Sequence, residues 1–150
     1  MVLKNVPLFK QKKSYTCGPT SLKIVFEYFG YRFSEQRLTK LCGCQGHGFL
    51  IDNNNLVEAA KSLGFMVEKK IGATIMDLKN SLKKDCPIIV NYLWNDGEGH
   101  FSVVVGVEKG IVSIIDTYTG ELQIYKSQDF CRVWKNGDGL AKKWMMVVKI

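Results

Sequence analysis

Residues 11–30 read QKKSYTCGPTSLKIVFEYFG, which predicts a thiol at the start of an amphipathic helix. The apolar residues after this thiol recur at the spacing of one helix face, at Leu22, Val25, Phe26 and Phe29. Pro19 fits the first turn of the helix, and Gly30 is typical of its end. Since the exposed N–H groups of a helix start favour an anion, Cys17 is a candidate nucleophile that would act as a thiolate.

The rest of the chain predicts helices in its first half and strands in its second half. A short helix follows Ser34, another follows Asp52 and ends near Gly64, and a fourth begins at Thr74 with Asp77 as its capping partner. Strands are predicted at residues 87–94, 101–107, 111–115, 121–125 and 144–150, with a short helix at 129–134. This order predicts one α+β domain over residues 1–150, in which an N-terminal helical half packs on a C-terminal antiparallel sheet.

Composition and charge restrict the classes of function. The chain has 150 residues, of which 46% are hydrophobic, and it contains neither a run of the roughly 18 apolar residues that span a membrane nor an N-terminal secretory signal. We therefore expect a cytoplasmic protein. The net charge of +7 comes from scattered lysines without interleaved aromatic residues, which disfavours nucleic-acid binding and fits a solvated basic surface.

The five cysteines are an odd set, so at least one stays free or pairs between molecules, and reduced thiols are the default inside cells. Cys42 and Cys44, together with His47 in a Gly-His-Gly stretch, offer three metal ligands, but no fourth follows at the spacing of a structural zinc site. We therefore expect no metal and no other cofactor, and interpret this stretch as a surface or substrate-subsite loop. Cys86 and Cys131 lie beside apolar residues and are predicted to be in the core.

His100 and Asp116 each lie at the end of a predicted strand. If residues 108–110 form a three-residue hairpin loop, Val107 pairs with Ile111 and paired residue numbers add up to 218. His100 then lies opposite Tyr118, with Asp116 as its diagonal neighbour on the same face of the sheet, about 7–8 Å away between Cα atoms. A register shifted by one residue would put the two side chains on opposite faces. The spacing is thus compatible with a carboxylate that orients the imidazole.

Gln11 precedes Cys17 by five intervening residues. Attack of a thiol on a carbonyl carbon produces an oxyanion, which needs hydrogen-bond donors that are already in place. The side-chain N–H of Gln11 and the backbone N–H of Cys17 would supply two such donors. A thiol, an imidazole, a carboxylate and an amide from separate segments together indicate thiol-based acyl chemistry.

These residues resemble the bacteriocin-processing peptidases, which are papain-like cysteine peptidases that cut leader peptides after a double glycine and often form part of a peptide-exporting ATP-binding-cassette transporter. The resemblance rests on Gln11-x5-Cys17-Gly-Pro-Thr-Ser-Leu, on Gly-His100-Phe at the start of a strand, and on Asp116 after a hairpin. The Cys-Pro-Ile-Ile strand at residues 86–89 and the stretch 129–134 also fit, so that almost the whole chain is covered.

The resemblance implies a papain-like fold in which Cys17 is the nucleophile, His100 the general base and then acid, Asp116 its orienting partner, and Gln11 part of the oxyanion hole. It further implies a monomeric enzyme that cleaves a peptide after small residues, in association with a membrane transporter if the substrate is a leader. The residues expected to contact the substrate are Tyr15, Gly18 and Gly99.

Two departures from the family pattern leave the substrate open. Thr117 follows the aspartate, where the family usually has proline, and Cys-Gly-Pro-Thr is closer to free-standing relatives than to transporter-fused domains. Two alternatives to hydrolysis therefore remain. One is an acyl or peptidyl transferase with the same triad, and the other is a non-catalytic module that binds leader peptides, as in degenerate relatives that usually lack the nucleophile.

Overall fold

The computed structural model describes residues 1–44, 52–94, 97–137 and 142–150. The helices in these ranges are α1 (Cys17–Tyr28), α2 (Glu35–Leu41), α3 (Asn53–Ser62), α4 (Ile75–Lys83) and α5 (Ser127–Val133). The strands are β1 (Met66–Lys70), β2 (Ile88–Leu93), β3 (Gly99–Glu108), β4 (Ile111–Asp116), β5 (Glu121–Lys126) and β6 (Met145–Lys149). No helix within these described ranges is both long enough and apolar enough to cross a membrane.

The strands of the described residues form one antiparallel sheet in the order β1-β6-β2-β3-β4-β5. The last strand along the chain therefore lies between β1 and β2, while β2 to β5 are neighbours in chain order. The predicted α+β class, with a helical N-terminal half on an antiparallel sheet, is confirmed.

Helices cover both faces of the sheet because each face carries apolar side chains. On one face, α1 and α3 bury Leu22, Phe26 and Leu56 against Phe101 and Val103. On the other face, α4 and α5 bury a second set against β2, β3 and β4, which includes Leu78, Leu82, Phe130, Ile88 and Val104. Each fully buried Leu or Phe side chain contributes about 1.5–3 kcal/mol. The two layers fix β3, the strand that carries His100, from both sides.

The predicted capping residues explain where three helices begin. Ser34 accepts a hydrogen bond from the backbone N–H of Arg37, and Asp52 and Thr74 each form a reciprocal capping box. Such a cap contributes about 1 kcal/mol. The start of α1 differs, since Thr16 makes no side-chain cap bond there and thus leaves the first N–H groups without a competing side-chain acceptor.

Strand β1 is not among the sequence predictions, which place no strand between the third and fourth helices. Its residues are mostly exposed, and three of the five, Glu68, Lys69 and Lys70, are charged. They form a strand because they pair with β6 along their whole length. A short, lysine-rich strand at the edge of a sheet lacks the apolar alternation by which strands are predicted, and its charges protect the edge from pairing with other chains.

The hairpin between β3 and β4 also differs from its prediction. Its loop contains two residues, Lys109 and Gly110, which both have positive φ, so Glu108 rather than Val107 pairs with Ile111. Paired residue numbers add up to 219 near the loop, but to 218 beyond an irregularity between Val104 and Gly106. This bulge inserts one extra residue into β3 and restores, at the other end of the strand, the register that the sequence analysis assumed.

The N-terminal segment pairs with the part of β3 that β2 does not reach. Val2 forms an antiparallel bridge with Gly106, and the N–H of Leu3 donates to the carbonyl oxygen of Val105 at 2.8 Å. A Cβ atom at Gly106 would lie 2.7 Å from a methyl carbon of Val2, so the two segments approach too closely for any other residue without a shift. The backbone at the bulge thus binds the N-terminal segment that leads to Gln11.

The turn geometry predicts that Lys109→Asn stabilises the protein. Lys109 has a φ of 52° at the first position of the two-residue loop. Asn tolerates this left-handed conformation better than Lys, so we expect the free energy of unfolding to rise by about 0.5 kcal/mol, a part of the roughly 1–2 kcal/mol that the left-handed region costs other residues. Urea unfolding would measure this change.

Lys4→Asn is the matched control, because it makes the same exchange at an exposed position that does not have positive φ. An equal gain in both variants, or no gain in either, would contradict the explanation by turn geometry.

Candidate active site

Cys17 is the first residue of α1 and is half-buried against the core beneath the helix. Its carbonyl oxygen accepts a hydrogen bond from the Ser21 hydroxyl at 2.8 Å, and Thr20 donates its backbone N–H to the Thr16 carbonyl oxygen. The helix therefore begins immediately at Cys17, and its positive end lies at the thiol.

His100 is the second residue of β3 and is completely buried. Its Nε2 lies 3.0 Å from Oδ1 of Asp116, the last residue of β4. A carboxylate can only accept, so Nε2 carries the hydrogen and donates it. Nδ1 is also buried and, among the described residues, has no hydrogen-bond partner. The imidazole thus has one edge committed to the carboxylate and the other edge uncommitted.

Asp116 is held by three kinds of donor. Besides His100, the backbone N–H of Tyr118 donates to Oδ1 at 2.9 Å, and the indole Nε1 of Trp94 donates to Oδ2 at 3.2 Å. Burial alone would raise the pKa of this carboxyl, but these hydrogen bonds and the charge of His100 outweigh it and hold the pKa below its usual value. Asp116 is therefore the ionised partner of the pair.

The pKa of His100 is raised above its usual value. Burial disfavours the charged ring and acts in the opposite direction, but the hydrogen bond to Asp116 and the interaction with the Cys17 side chain outweigh it. The protein therefore favours the protonated imidazole, which lies between the Asp116 carboxylate and the Cys17 side chain. Cys17 and Asp116 thus both lie within interaction range of the His100 ring.

Three aromatic side chains pack around the imidazole, and one of them is Tyr92, whose ring centroid lies 5.7 Å away. The ring of Tyr118 stacks on that of His100, with centroids 4.0 Å apart and planes inclined by 3°, and the Trp94 ring packs at an angle with its centroid 6.2 Å away. Trp94 also packs against Tyr118. These rings exclude water from the His100–Asp116 hydrogen bond and fix the orientation of the imidazole. Sequence reasoning placed Tyr118 opposite His100 but missed Trp94, because the last residue of a predicted strand carries no local mark of this contact.

Thr117 adds a second acceptor to the histidine. Its hydroxyl donates to the Phe101 carbonyl oxygen at 3.1 Å and lies 3.2 Å from Nε2 of His100. Since its own hydrogen is committed to Phe101, the hydroxyl oxygen accepts from the imidazole N–H, which Asp116 and Thr117 therefore share.

Gln11 lies beside this turn and is almost fully buried, with 7% of its surface exposed. Its backbone N–H donates to the carbonyl oxygen of Thr117 at 2.8 Å, and its side-chain Nε2 donates to that of Lys13 at 2.9 Å. The amide of Gln11 has a second N–H, and its Oε1 has no partner among the described residues. The side chain is thus fixed by one hydrogen bond and keeps one donor.

The three residues expected to contact substrate have different surroundings. Gly99 is exposed and directly precedes His100, Tyr15 is half-buried with the Lys13 ammonium 5.8 Å from its ring centre, and Gly18 is buried in the first turn of α1. A Cβ atom at Gly99 would lie 2.8 Å from the backbone nitrogen of Gly137. Glycine at position 99 therefore lets another segment of backbone pass beside the histidine.

The remaining cysteines have no evident part in this arrangement. Burial raises the pKa of Cys42, Cys44 and Cys86, that of Cys44 to about 11, which keeps these thiols neutral. Cys86 is buried as predicted, whereas Cys131 is half-buried on α5 rather than in the core. The described residues contain no group of three or more His, Cys, Asp or Glu side chains arranged to hold a metal ion, and His47 lies outside the described residues.

The chain resembles known proteins over most of its length. Residues 5–138 match the model of the Peptidase C39 family, and these residues include all four candidate catalytic positions. A functionally uncharacterised protein from Methanothermobacter thermautotrophicus is 27% identical over 124 residues, which cover 83% of this chain and 80% of that protein.

Solved structures of peptidases share the fold, among them two from transporters. The peptidase domain of Streptococcus ComA, a bifunctional ABC transporter involved in a quorum-sensing pathway, is 21% identical, with a TM-score of 0.78 over 96% of this chain and 98% of that chain. A double-glycine motif protease from an AMS/PCAT transporter, solved in complex with the leader peptide, is 22% identical, with a TM-score of 0.72 over 97% and 91%. The match to the family model extends over most of this chain and includes the candidate site. The chain therefore belongs to the Peptidase C39 family and is a cysteine peptidase.

Proposed function

We propose that Cys17, His100 and Asp116 form the catalytic triad of this peptidase and that Gln11 contributes to its oxyanion hole. The observation that carries the proposal is the state of the imidazole. Its Nε2 is bound to Asp116, while its buried Nδ1 has no other described partner and is the nitrogen left to exchange a proton with Cys17. The raised pKa of His100 favours the imidazolium that this chemistry uses.

In the first half of the reaction, Sγ of Cys17 attacks the carbonyl carbon of the scissile peptide bond. The carbonyl electrons move onto oxygen, and when they return, the carbon–nitrogen bond breaks and His100 transfers its Nδ1 proton to the leaving amine. In the second half, His100 takes a proton from water, the resulting hydroxide attacks the thioester, and Cys17 leaves as a thiolate with the imidazolium restored.

The oxyanion forms next to the start of α1. The backbone N–H of Cys17 and the remaining side-chain N–H of Gln11 are the donors that this proposal assigns to it. The hydrogen bond from Gln11 to Lys13 supports the assignment, since it fixes the amide before the substrate binds. Donors fixed in advance stabilise the transition state without a reorganisation cost at the moment of reaction.

We infer that the substrate is a peptide cut after small residues, such as the double glycine of a leader. The likeness to a double-glycine motif protease in complex with a leader peptide supports this inference. A leader matures before its export, so this activity belongs on the cytoplasmic side of a membrane, in association with a transporter.

Replacement of the nucleophile is the first test. Cys17→Ala should lower cleavage of a synthetic peptide with an internal Gly-Gly by at least about 1000-fold, because the acyl intermediate can no longer form. Mass spectrometry of the products distinguishes a hydrolase from a transferase, since hydrolysis leaves a free carboxylate after the second glycine and transfer leaves a ligated product.

Cys131→Ala is the control, since this residue is a half-buried cysteine on α5, away from the triad. We expect its activity to equal that of the unmodified protein. Cleavage by Cys17→Ala at an undiminished rate would exclude the proposed nucleophile.

The orienting carboxylate provides a prediction on pH dependence. The thiolate–imidazolium pair is lost as the pH rises through the pKa of His100, and Asp116 raises that pKa. Asp116→Asn should therefore move the basic limb of the kcat/KM profile to lower pH, and should reduce the maximum by about tenfold, less than Cys17→Ala does.

Asp129→Asn makes the same exchange at an exposed position of α5, where the carboxylate pairs with Arg132. Its pH profile should match that of the unmodified protein. A basic limb that stays in place, or moves to higher pH, in Asp116→Asn would show that this carboxylate does not act on His100.

A further inference from the structure

We propose that Glu35 is a positioning residue, which holds the segment that carries Gln11 against the helix that carries Cys17. This inference rests on the proposed role of Gln11 as an oxyanion donor. Glu35 is the first residue of α2 and lies far from both side chains in sequence, so its role follows from the tertiary structure alone.

Glu35 is a buried carboxylate, with 7% of its surface exposed. The backbone N–H of Lys12 points at both of its oxygens, at 3.3 Å from Oε1 and 3.2 Å from Oε2, and the hydroxyl of Thr20 donates to Oε1 at 2.9 Å. One backbone N–H and one hydroxyl thus donate to this carboxylate. Within the part of the chain that the structure describes, no lysine or arginine forms an ion pair with it.

The burial of this carboxylate costs free energy, and its hydrogen bonds join two segments of the chain. Burial of a charged group without a cation is unfavourable, and hydrogen bonds to a charged acceptor compensate for part of that cost. The two donors come from different segments, since Lys12 directly follows Gln11 and Thr20 lies one turn after Cys17 on α1. The carboxylate therefore fixes the distance between the proposed oxyanion donor and the nucleophile.

The same segment has a second anchor on the opposite side. The backbone N–H of Gln11 is bound to the Thr117 carbonyl oxygen, and a Cβ atom at Gly120 would lie 3.0 Å from the backbone nitrogen of Lys10. The turn after β4 thus holds residues 10 and 11, while Glu35 holds residue 12. Without Glu35, the segment keeps its contact with the triad and the hydrogen bonds between Lys13 and Thr16, but residue 12 loses its link to Thr20 on α1.

The experiment uses Glu35→Ala and Glu35→Gln and follows cleavage of a Gly-Gly-aminomethylcoumarin peptide. We expect kcat to fall by about 30-fold for Ala, because a displaced oxyanion donor acts only in the transition state, with KM nearly unchanged. Gln keeps an acceptor oxygen of the same shape, so its loss should be only about threefold. Glu58→Gln, on the exposed surface of α3, is the control and should retain full activity.

Two further readouts separate positioning from a general structural role. In a Gln11→Ala background, the replacement of Glu35 should cost nothing more, because the donor that it positions is gone. Alkylation of Cys17 by iodoacetamide, followed by mass spectrometry, should proceed at the same rate in all these proteins, because this displacement forms no oxyanion.

Losses that multiply in the double variant, or a parallel fall in alkylation, would overturn the role of Glu35. If Glu35→Ala does not fold, Glu35→Gln is tested by the same criteria. Its threefold loss of kcat should disappear in the Gln11→Ala background, and a loss that persists there would contradict the proposal. Failure of the proposed function itself has a different signature, because the unmodified protein would then leave the peptide uncut, or Cys17→Ala would still cut it.

Discussion

The arrangement of this site depends on the hydrogen bond between Nε2 of His100 and Oδ1 of Asp116, which joins the start of β3 to the end of β4. Two side chains on neighbouring strands can meet only if the register puts them on the same face of the sheet. With the two-residue loop alone, the register would put Asp116 on the face opposite His100. The bulge at Val105 shifts it by one residue and returns both side chains to one face.

This register also explains which parts of the structure were predictable. Local rules predicted five strands within two residues of their observed bounds, the helix starts and the proximity of His100 and Asp116. They chose the wrong loop length, because Lys109 is not a residue expected at positive φ, and they missed the bulge, because Val103-Val104-Val105 has no mark of an irregularity. The two deviations are of one residue each and cancel at His100, so the predicted neighbours were right although the predicted hairpin was wrong.

Features that depend on contacts between distant residues could not be predicted from the sequence. Strand β1 exists through its pairing with β6, almost 80 residues later. Glu35 carries no local mark of its contacts, since its partners Lys12 and Thr20 are 23 and 15 residues away. Trp94 likewise contacts Asp116 only in the folded sheet. The residues that perform the proposed chemistry carry local marks, whereas those that hold them in place do not.

Thr117 shows how closely the two halves of the proposed site are coupled. Its carbonyl oxygen accepts from the backbone of Gln11, while its hydroxyl accepts from His100 and donates to Phe101. The proline that peptidases of this kind usually have here would keep the carbonyl contact but would lose the hydroxyl, and with it the second acceptor for the imidazole N–H. In this chain, one residue therefore orients the ring that is proposed to transfer protons and anchors the segment with the proposed oxyanion donor. A shift of the turn after β4 would move both together.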